Sequence, residues 1–397
     1  MATLHSVGEC VLICASSKVF SAHISSGGLS IKNVIDVKEV SDSLPFPEKE
    51  ADNGKGSESD TKKTREVVDF QILCSKVSNC SSLLAVATSA KTVLLLDLPS
   101  LSFRRGFRIP KAPTSLVFDR DNTHVVVGDR AGHVCRYTVG AAEKFGYTDM
   151  NGITSLHEGE PLSSAITMVL DVALSEDGKF LLIADRDEKI RVSRYPEAYV
   201  VQSFCLGHSA YVSSVALRRG RFFSSGGDGV VHEWAMESGT SVAHSDRLGE
   251  GPIRRIRVLE KEDGLCIVAI TGSTLLLLDG ELKCIKTFKT SDPLMDIALS
   301  DGAVVAVTCS GLVLFNVSDG TFSSLQVPNE LVDALTASKD PISNYFKNVT
   351  HQNMVEYYKR KAEKIESTKE NQMRKRKAKQ SLERTKKIAT GAEATAS

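Results

Sequence analysis

"VSSVALRRGRFFSSGGDGVVHEW" (residues 212–234) holds two short runs of strand-forming residues and the start of a third, separated by an Arg-Gly turn and a Gly-Gly-Asp-Gly turn. β-Branched and aromatic residues in runs of this length, bounded by Gly and Asp, read as antiparallel strands joined by tight hairpins. The same plan recurs on both sides. It is visible in "SLVFDRDNTHVVVGDRAGHVCRYTV" (115–139), in "MVLDVALSEDGKFLLIADRDEKIRVSRY" (168–195), and in "IRRIRVLEKEDGLCIVAITGSTLLLLD" (253–279). "LMDIALSDGAVVAVTCSGLVLFNV" (294–317) and "VDFQILCSKVSNCSSLLAVATSAKTVLLLDL" (68–98) are two further copies. A recurrence of about 40–45 residues is the period of a four-stranded propeller blade.

These copies predict an all-β chain, a seven-bladed WD-repeat β-propeller followed by a helical basic tail. Six blades are legible, and residues 1–35 supply the strands of the seventh or the closure of the ring. Residues 66–328 hold the remaining blades. Residues 36–65 are polar, rich in Pro, Gly and Ser, and are expected to be a disordered insertion. Residues 329–370 are expected to be helical, with Asp340-Pro341 as a capped start, and 371–397 a disordered basic tail. The ring removes most exposed sheet edges, which is why such folds resist edge-to-edge association.

One blade carries a fuller signature: His208 ahead of a strand, Ser224 and Ser225 in the next, Asp228 in the hairpin and Trp234 beyond it. A Ser–His–Asp set invites a catalytic reading, but Asp228 lies in a turn that a bracing hydrogen-bond network explains. We therefore expect these five residues to be structural and no residue to be catalytic. Nine cysteines are scattered without a CxxC pair, and the histidines lack metal-ligand spacing, so neither metal site nor disulfide framework is expected. No Gly-rich turn opens a helix after a strand, which leaves the chain without a visible cofactor cradle.

The net charge of zero conceals a polar molecule. Between Lys359 and Lys387 there are thirteen basic and four acidic residues, so the remainder carries the balancing negative charge. Such a tail should seek phosphate. Lys359, Arg360, Lys361 and Lys364 are candidates for RNA contact. "RKRKAK" (374–379) offers Arg374, Lys375, Arg376, Lys377 and Lys379 as a nuclear-import signal, giving an expected nuclear location. No apolar run spans a bilayer and no leader is visible at the amino terminus, so membrane association is not expected.

Between Asp185 and Arg194 the hairpin connecting two strands is crowded with both signs of charge. Interspersed signs on a rigid scaffold suit docking against a complementary protein surface, and the carboxylates would repel nucleic acid. "ADRDEKIRVSRYP" (184–196), followed by "SFCLGH" (203–208), resembles the WD-repeat non-catalytic subunit of eukaryotic tRNA (guanine-N7-)-methyltransferase. The stretch "FKNVT" (346–350) ahead of a basic helix is similar to that family's carboxy-terminal helix. The resemblance implies a heterodimer with a separate Rossmann-type catalytic subunit. That partner would hold S-adenosylmethionine and methylate a variable-loop guanosine of tRNA. It further implies ion pairs to the partner from Arg186, Asp187, Glu188, Lys189 and Arg191. Arg130, in the equivalent turn of the preceding blade, would face partner or RNA. A general propeller hub in a nuclear or ubiquitin-ligase assembly is the alternative, since fold alone does not give function.

Overall fold

Each repeat begins with a strand, and in most of them a β-bulge near its start turns one polar side chain towards the next repeat. In the computed structural model the residues described are 2–25, 28–45, 69–142, 146–147, 157–165, 167–261, 264–300, 303–317, 320–338, 359–371 and 373–374. They form seven four-stranded antiparallel sheets, each a meander of consecutive strands. The blades run over residues 3–36, 72–108, 113–164, 169–206, 212–244, 255–289 and 294–325. Their innermost strands touch in cyclic order, and Thr3–Val7 of blade 1 meets both Ile72–Val77 of blade 2 and Leu294–Ser300 of blade 7. The ring is therefore closed, as the repeat count requires.

The apolar pattern follows from this packing. Second strands such as Leu83–Thr88, with every residue buried, are covered by neighbouring blades on both faces and so read as unbroken apolar runs. Outer strands such as Val201–Leu206 and Thr240–His244 face solvent and are mixed.

Polar staples join the blades. Ser115 Oγ accepts from Val172 N–H (3.2 Å), Asp171 Oδ2 from Val215 N–H (2.9 Å) and Ser214 Oγ from Ile256 N–H (3.2 Å). Asp296 Oδ2 accepts from Leu4 N–H (3.0 Å) and completes the ring between blades 7 and 1. All four run from one inner strand to the next in chain order, and each gives a buried backbone donor a side-chain acceptor on the neighbouring blade.

Two helices flank the strands, and the first departs from expectation. Helix α1 (Val37–Ser43) lies inside the stretch expected to be disordered. Asp36 caps it by accepting from Lys38 N–H (2.9 Å), Val37 and Ser41 are buried, and Arg108 donates to the Leu44 carbonyl (2.9 Å). The expectation is thus corrected for residues 36–45, while 46–65 lie outside the described residues. Helix α2 (Asn329–Ala337) begins earlier than the Asp340-Pro341 signal, which is also outside them. Its Leu331, Ala334 and Leu335 share a core with Leu4 and Ile13 of blade 1 and Val305 and Leu312 of blade 7, so α2 straps the closing seam.

The chain divides into two compact units, residues 1–341 and residues 342–397. In the second unit residues 359–371 are helical, with Lys361 and Ile365 half-buried and Lys359, Arg360 and Lys364 exposed. Among the described residues no helix is long and apolar enough to cross a membrane. The nine cysteines are free thiols, of which Cys14, Cys74, Cys205 and Cys266 are buried and Cys80 and Cys284 exposed.

Candidate functional site

In blade 4 the strands Phe180–Asp185 and Lys189–Arg194 are joined by Arg186, Asp187 and Glu188. Asp185 makes the turn. Its Oδ1 accepts from Asp187 N–H (2.9 Å) and Lys189 N–H (3.1 Å), and Arg186 N–H donates to the Met168 carbonyl (3.0 Å). Asp129 does the same in blade 3, accepting from Ala131 and His133 N–H, with Arg130 N–H on the Ala112 carbonyl. Arg130 and Arg186 therefore occupy equivalent positions on the same face of adjacent blades, and both reach solvent. Burial pushes the Asp185 carboxyl up, partly offset by the Lys189 ammonium. Some of the charge in this run is therefore turn-making.

The fourth turn position needs a left-handed backbone. Blades 3 and 5 place Gly132 (φ 94°) and Gly229 (φ 73°) there, and blade 4 places Glu188 (φ 70°). Glu188 retains only 8% of its surface. Arg191 is half-buried, its Nε donating to Ser193 Oγ (3.0 Å) and Nη2 to the Ala198 carbonyl (3.3 Å), and burial lowers its pKa. The five residues expected to pair with a partner differ in accessibility. Glu188 has little surface to offer a partner, and Arg191 is engaged within its own blade. Arg186, Asp187 and Lys189 remain accessible. Their ion pairs are loose, at 3.9 Å for Arg186–Asp187 and 3.9 Å for Lys189–Asp185.

Blade 5 stiffens the adjoining scaffold. His208 Nδ1 lies 2.7 Å from Asp228 Oδ2, its Nε2 lies 2.7 Å from Ser224 Oγ, and Trp234 Nε1–H donates to the same hydroxyl (2.7 Å). Burial would raise the Asp228 carboxyl, but the hydrogen bond and charge of His208 with two backbone N–H groups hold it below its ordinary value. The expected network forms with one correction: Ser225 is not in it. Alternation along a strand sends its side chain to the other face, where its hydroxyl is buried with no hydrogen-bond partner among the described residues. His232 joins the cluster by stacking on Trp234, and its pKa is pushed down to about 3, first by burial and then by His208. Ligating atoms of His208, Asp228 and His232 lie within 4.8 Å of one another, but both nitrogens of His208 and the Asp228 carboxylate are already paired in the bracing network.

Sequence reasoning missed a second polar centre inside the ring, where Asp171 and Asp296 face Arg255 and Arg257. A signal was present: "LDVALS" (170–175) and "MDIALS" (295–300) place an aspartate at the same point of two repeats. Of the basic residues predicted for RNA or import, Lys359, Arg360, Lys361, Lys364 and Arg374 are helical, whereas Lys375, Arg376, Lys377 and Lys379 lie outside the described residues.

Comparison with known proteins bears on this geometry. Residues 156–272 match the family described as the tRNA methyltransferase TRM82 WD40 domain, a span that includes all of blade 5 and the Arg186 hairpin. The chain is similar to the tRNA (guanine-N(7)-)-methyltransferase non-catalytic subunit of Caenorhabditis elegans, 35% identical over 273 residues. That match covers 67% of this chain and 66% of the nematode protein. The human protein of the same description, WDR4, is 33% identical over 42% of this chain and 38% of its own length. TRM82 of Saccharomyces cerevisiae is 28% identical over 43% and 38%. The matches thus span from just under two thirds to well under half of these relatives. A seven-bladed ring, the braced hairpin within the matched span and the relatives' shared description together establish that the chain belongs to the family of WD-repeat non-catalytic subunits of tRNA (guanine-N(7)-)-methyltransferase.

Proposed function

We propose that this protein is a rigid platform that docks a separate catalytic subunit through the face bearing Arg130 and Arg186. The partner holds S-adenosylmethionine and performs N7-methylation of a variable-loop guanosine, in a nuclear heterodimer. The basic helix around Lys359, Arg360, Lys361 and Lys364 adds sequence-independent contacts to tRNA phosphates. The observation that carries this reading is Arg186, an exposed guanidinium whose backbone is fixed by Met168 and whose turn is fixed by Asp185. A cation held at fixed register by a closed ring loses little entropy on pairing with a partner carboxylate.

The test is Arg186→Glu, measured by co-purification and by titration against the catalytic subunit. A hot-spot charge reversed at a protein interface costs about 2–5 kcal/mol, so association should weaken by at least about thirtyfold at the lower bound. An unchanged Kd with an intact circular-dichroism spectrum would remove this hairpin from the interface.

A further inference from the structure

All seven blades contribute to a cavity of about 720 Å³ on the ring axis, lined by their inner strands. At its rim Glu260 pairs with Arg218 and Arg219, and Glu176 accepts from Gly220 N–H, so these charges stay with the loops. The charges deeper in do not balance. Asp171 is committed to the ring, with Oδ1 accepting from Ser115 Oγ (2.7 Å) and Oδ2 from Val215 N–H (2.9 Å). Asp296 is committed to Leu4 N–H and lies 3.4 Å from both Arg255 Nε and Arg257 Nη2. Against these two carboxylates stand three cations, Arg255, Arg257 and Lys76. His5 adds no charge near neutrality, because burial pushes it down to about 3.

The cations are poorly served. Lys76 makes no hydrogen bond or ion pair with any described residue, although protein surrounds it; the surface it exposes is that of the channel. Arg255 reaches carboxylates only at 3.9 and 3.4 Å, and its Nε–H, although near Asp296, has no hydrogen-bond acceptor among the described residues. A buried guanidinium with a spare donor, Arg255, calls for an acceptor of opposite charge, and Lys76 presents its ammonium to the same channel. A phosphate oxyanion supplies both charge and several acceptors, and a guanidinium fork matches it. The volume falls within the range of about 300–1,000 Å³ typical of small-molecule sites.

We propose that the axial channel is a binding site for a small phosphorylated anion, held by Lys76, Arg255 and Arg257. The site belongs to the ring itself and does not depend on the docking face. Desolvation, with Arg257 nearby, pushes Lys76 down to about 8, and a bound anion should raise its affinity for the proton.

The experiment is calorimetric titration of the full chain with pyrophosphate and with inorganic phosphate, in buffer free of sulfate. Saturable one-to-one binding of pyrophosphate is expected. It should weaken at least tenfold in Lys76→Met and survive in Lys76→Arg. Absence of saturable binding to the wild type, or equal binding by Lys76→Met, overturns the assignment. A readout independent of any variant is the pH titration of the Lys76 ¹³Cε resonance. Its midpoint should rise by at least one pH unit when pyrophosphate saturates, and an unmoved midpoint also overturns the proposal. A 5′-phosphorylated oligoribonucleotide should fail to displace pyrophosphate; displacement would reassign the site to RNA ends and refute a small-molecule ligand.

Discussion

Replacing Asp296 by alanine attacks the ring where it closes. The carboxylate is 1% exposed and serves three groups: Leu4 N–H, Arg255 and Arg257. Its removal orphans a buried backbone donor, worth about 1–3 kcal/mol. It also leaves two guanidiniums without their nearest carboxylate, and breaking a buried pair from one side costs about 3–5 kcal/mol. These costs overlap, and water in the channel relieves part of the second. A loss of about 3–5 kcal/mol is expected, a large share of the roughly 5–15 kcal/mol that holds a folded domain together. The assay is urea unfolding followed by two probes. Far-UV circular dichroism reports every strand, while fluorescence reports Trp234, the single tryptophan, in blade 5. In the wild type the two curves should coincide. In Asp296→Ala the dichroism curve should move first, because blades 1 and 7 loosen before blade 5. Adding Arg257→Met should recover about 1–2 kcal/mol by deleting a stranded charge. A shift below about 1 kcal/mol, or no recovery in the double variant, refutes the reasoning.

Two other perturbations read different parts of the molecule. Reversing Lys359, Arg360 and Lys364 to Glu should leave the propeller's unfolding curve unchanged but weaken tRNA binding by the assembled heterodimer. The salt slope should fall by roughly one for each phosphate no longer neutralised, as seen in binding isotherms at several salt concentrations. His5 and His232 are held near 3 by burial, against 6.5 for the free side chain. The unfolded chain therefore binds more protons between those values, so stability should be full above pH 6.5 and fall as the pH drops towards 3. The slope is up to about 1.4 kcal/mol per pH unit for each histidine, measurable as the urea midpoint at about pH 7, 6 and 5.

The fold was legible because each second strand is sandwiched between neighbours. Runs such as "LLAVAT" and "FLLIAD" record two-sided burial directly, and their spacing counts the blades. The bracing network was legible because His208, Ser224, Asp228 and Trp234 sit in one blade, within hairpin distance of each other. Ser225 was misassigned because adjacent residues in a strand face opposite ways. The hairpin at Arg186 stood out as a charge run, but charge alone did not separate turn-making Asp185 from accessible Arg186. That distinction lies in backbone hydrogen bonds. Helix α1 was missed because Val37, Val40 and Leu44 are thinly spread through polar text. The axial charges were missed for a deeper reason: Arg255 and Asp296 belong to different repeats, and only the packing of one blade's inner strand on the next brings them together.

Because every sheet is made of four successive strands, no blade is stitched together from the two distant ends of the propeller. Closure is instead non-covalent, through Asp296 and Leu4, through Leu29 N–H on the Gln326 carbonyl (2.9 Å), and through the strap of α2. The circle has no privileged origin in its covalent wiring. Joining residues near Thr3 and Leu325 with a linker and opening the chain at any connection between blades would leave all seven sheets covalently whole. Such rearranged chains offer a route to moving the chain's termini from one blade to the next without redesigning a single strand.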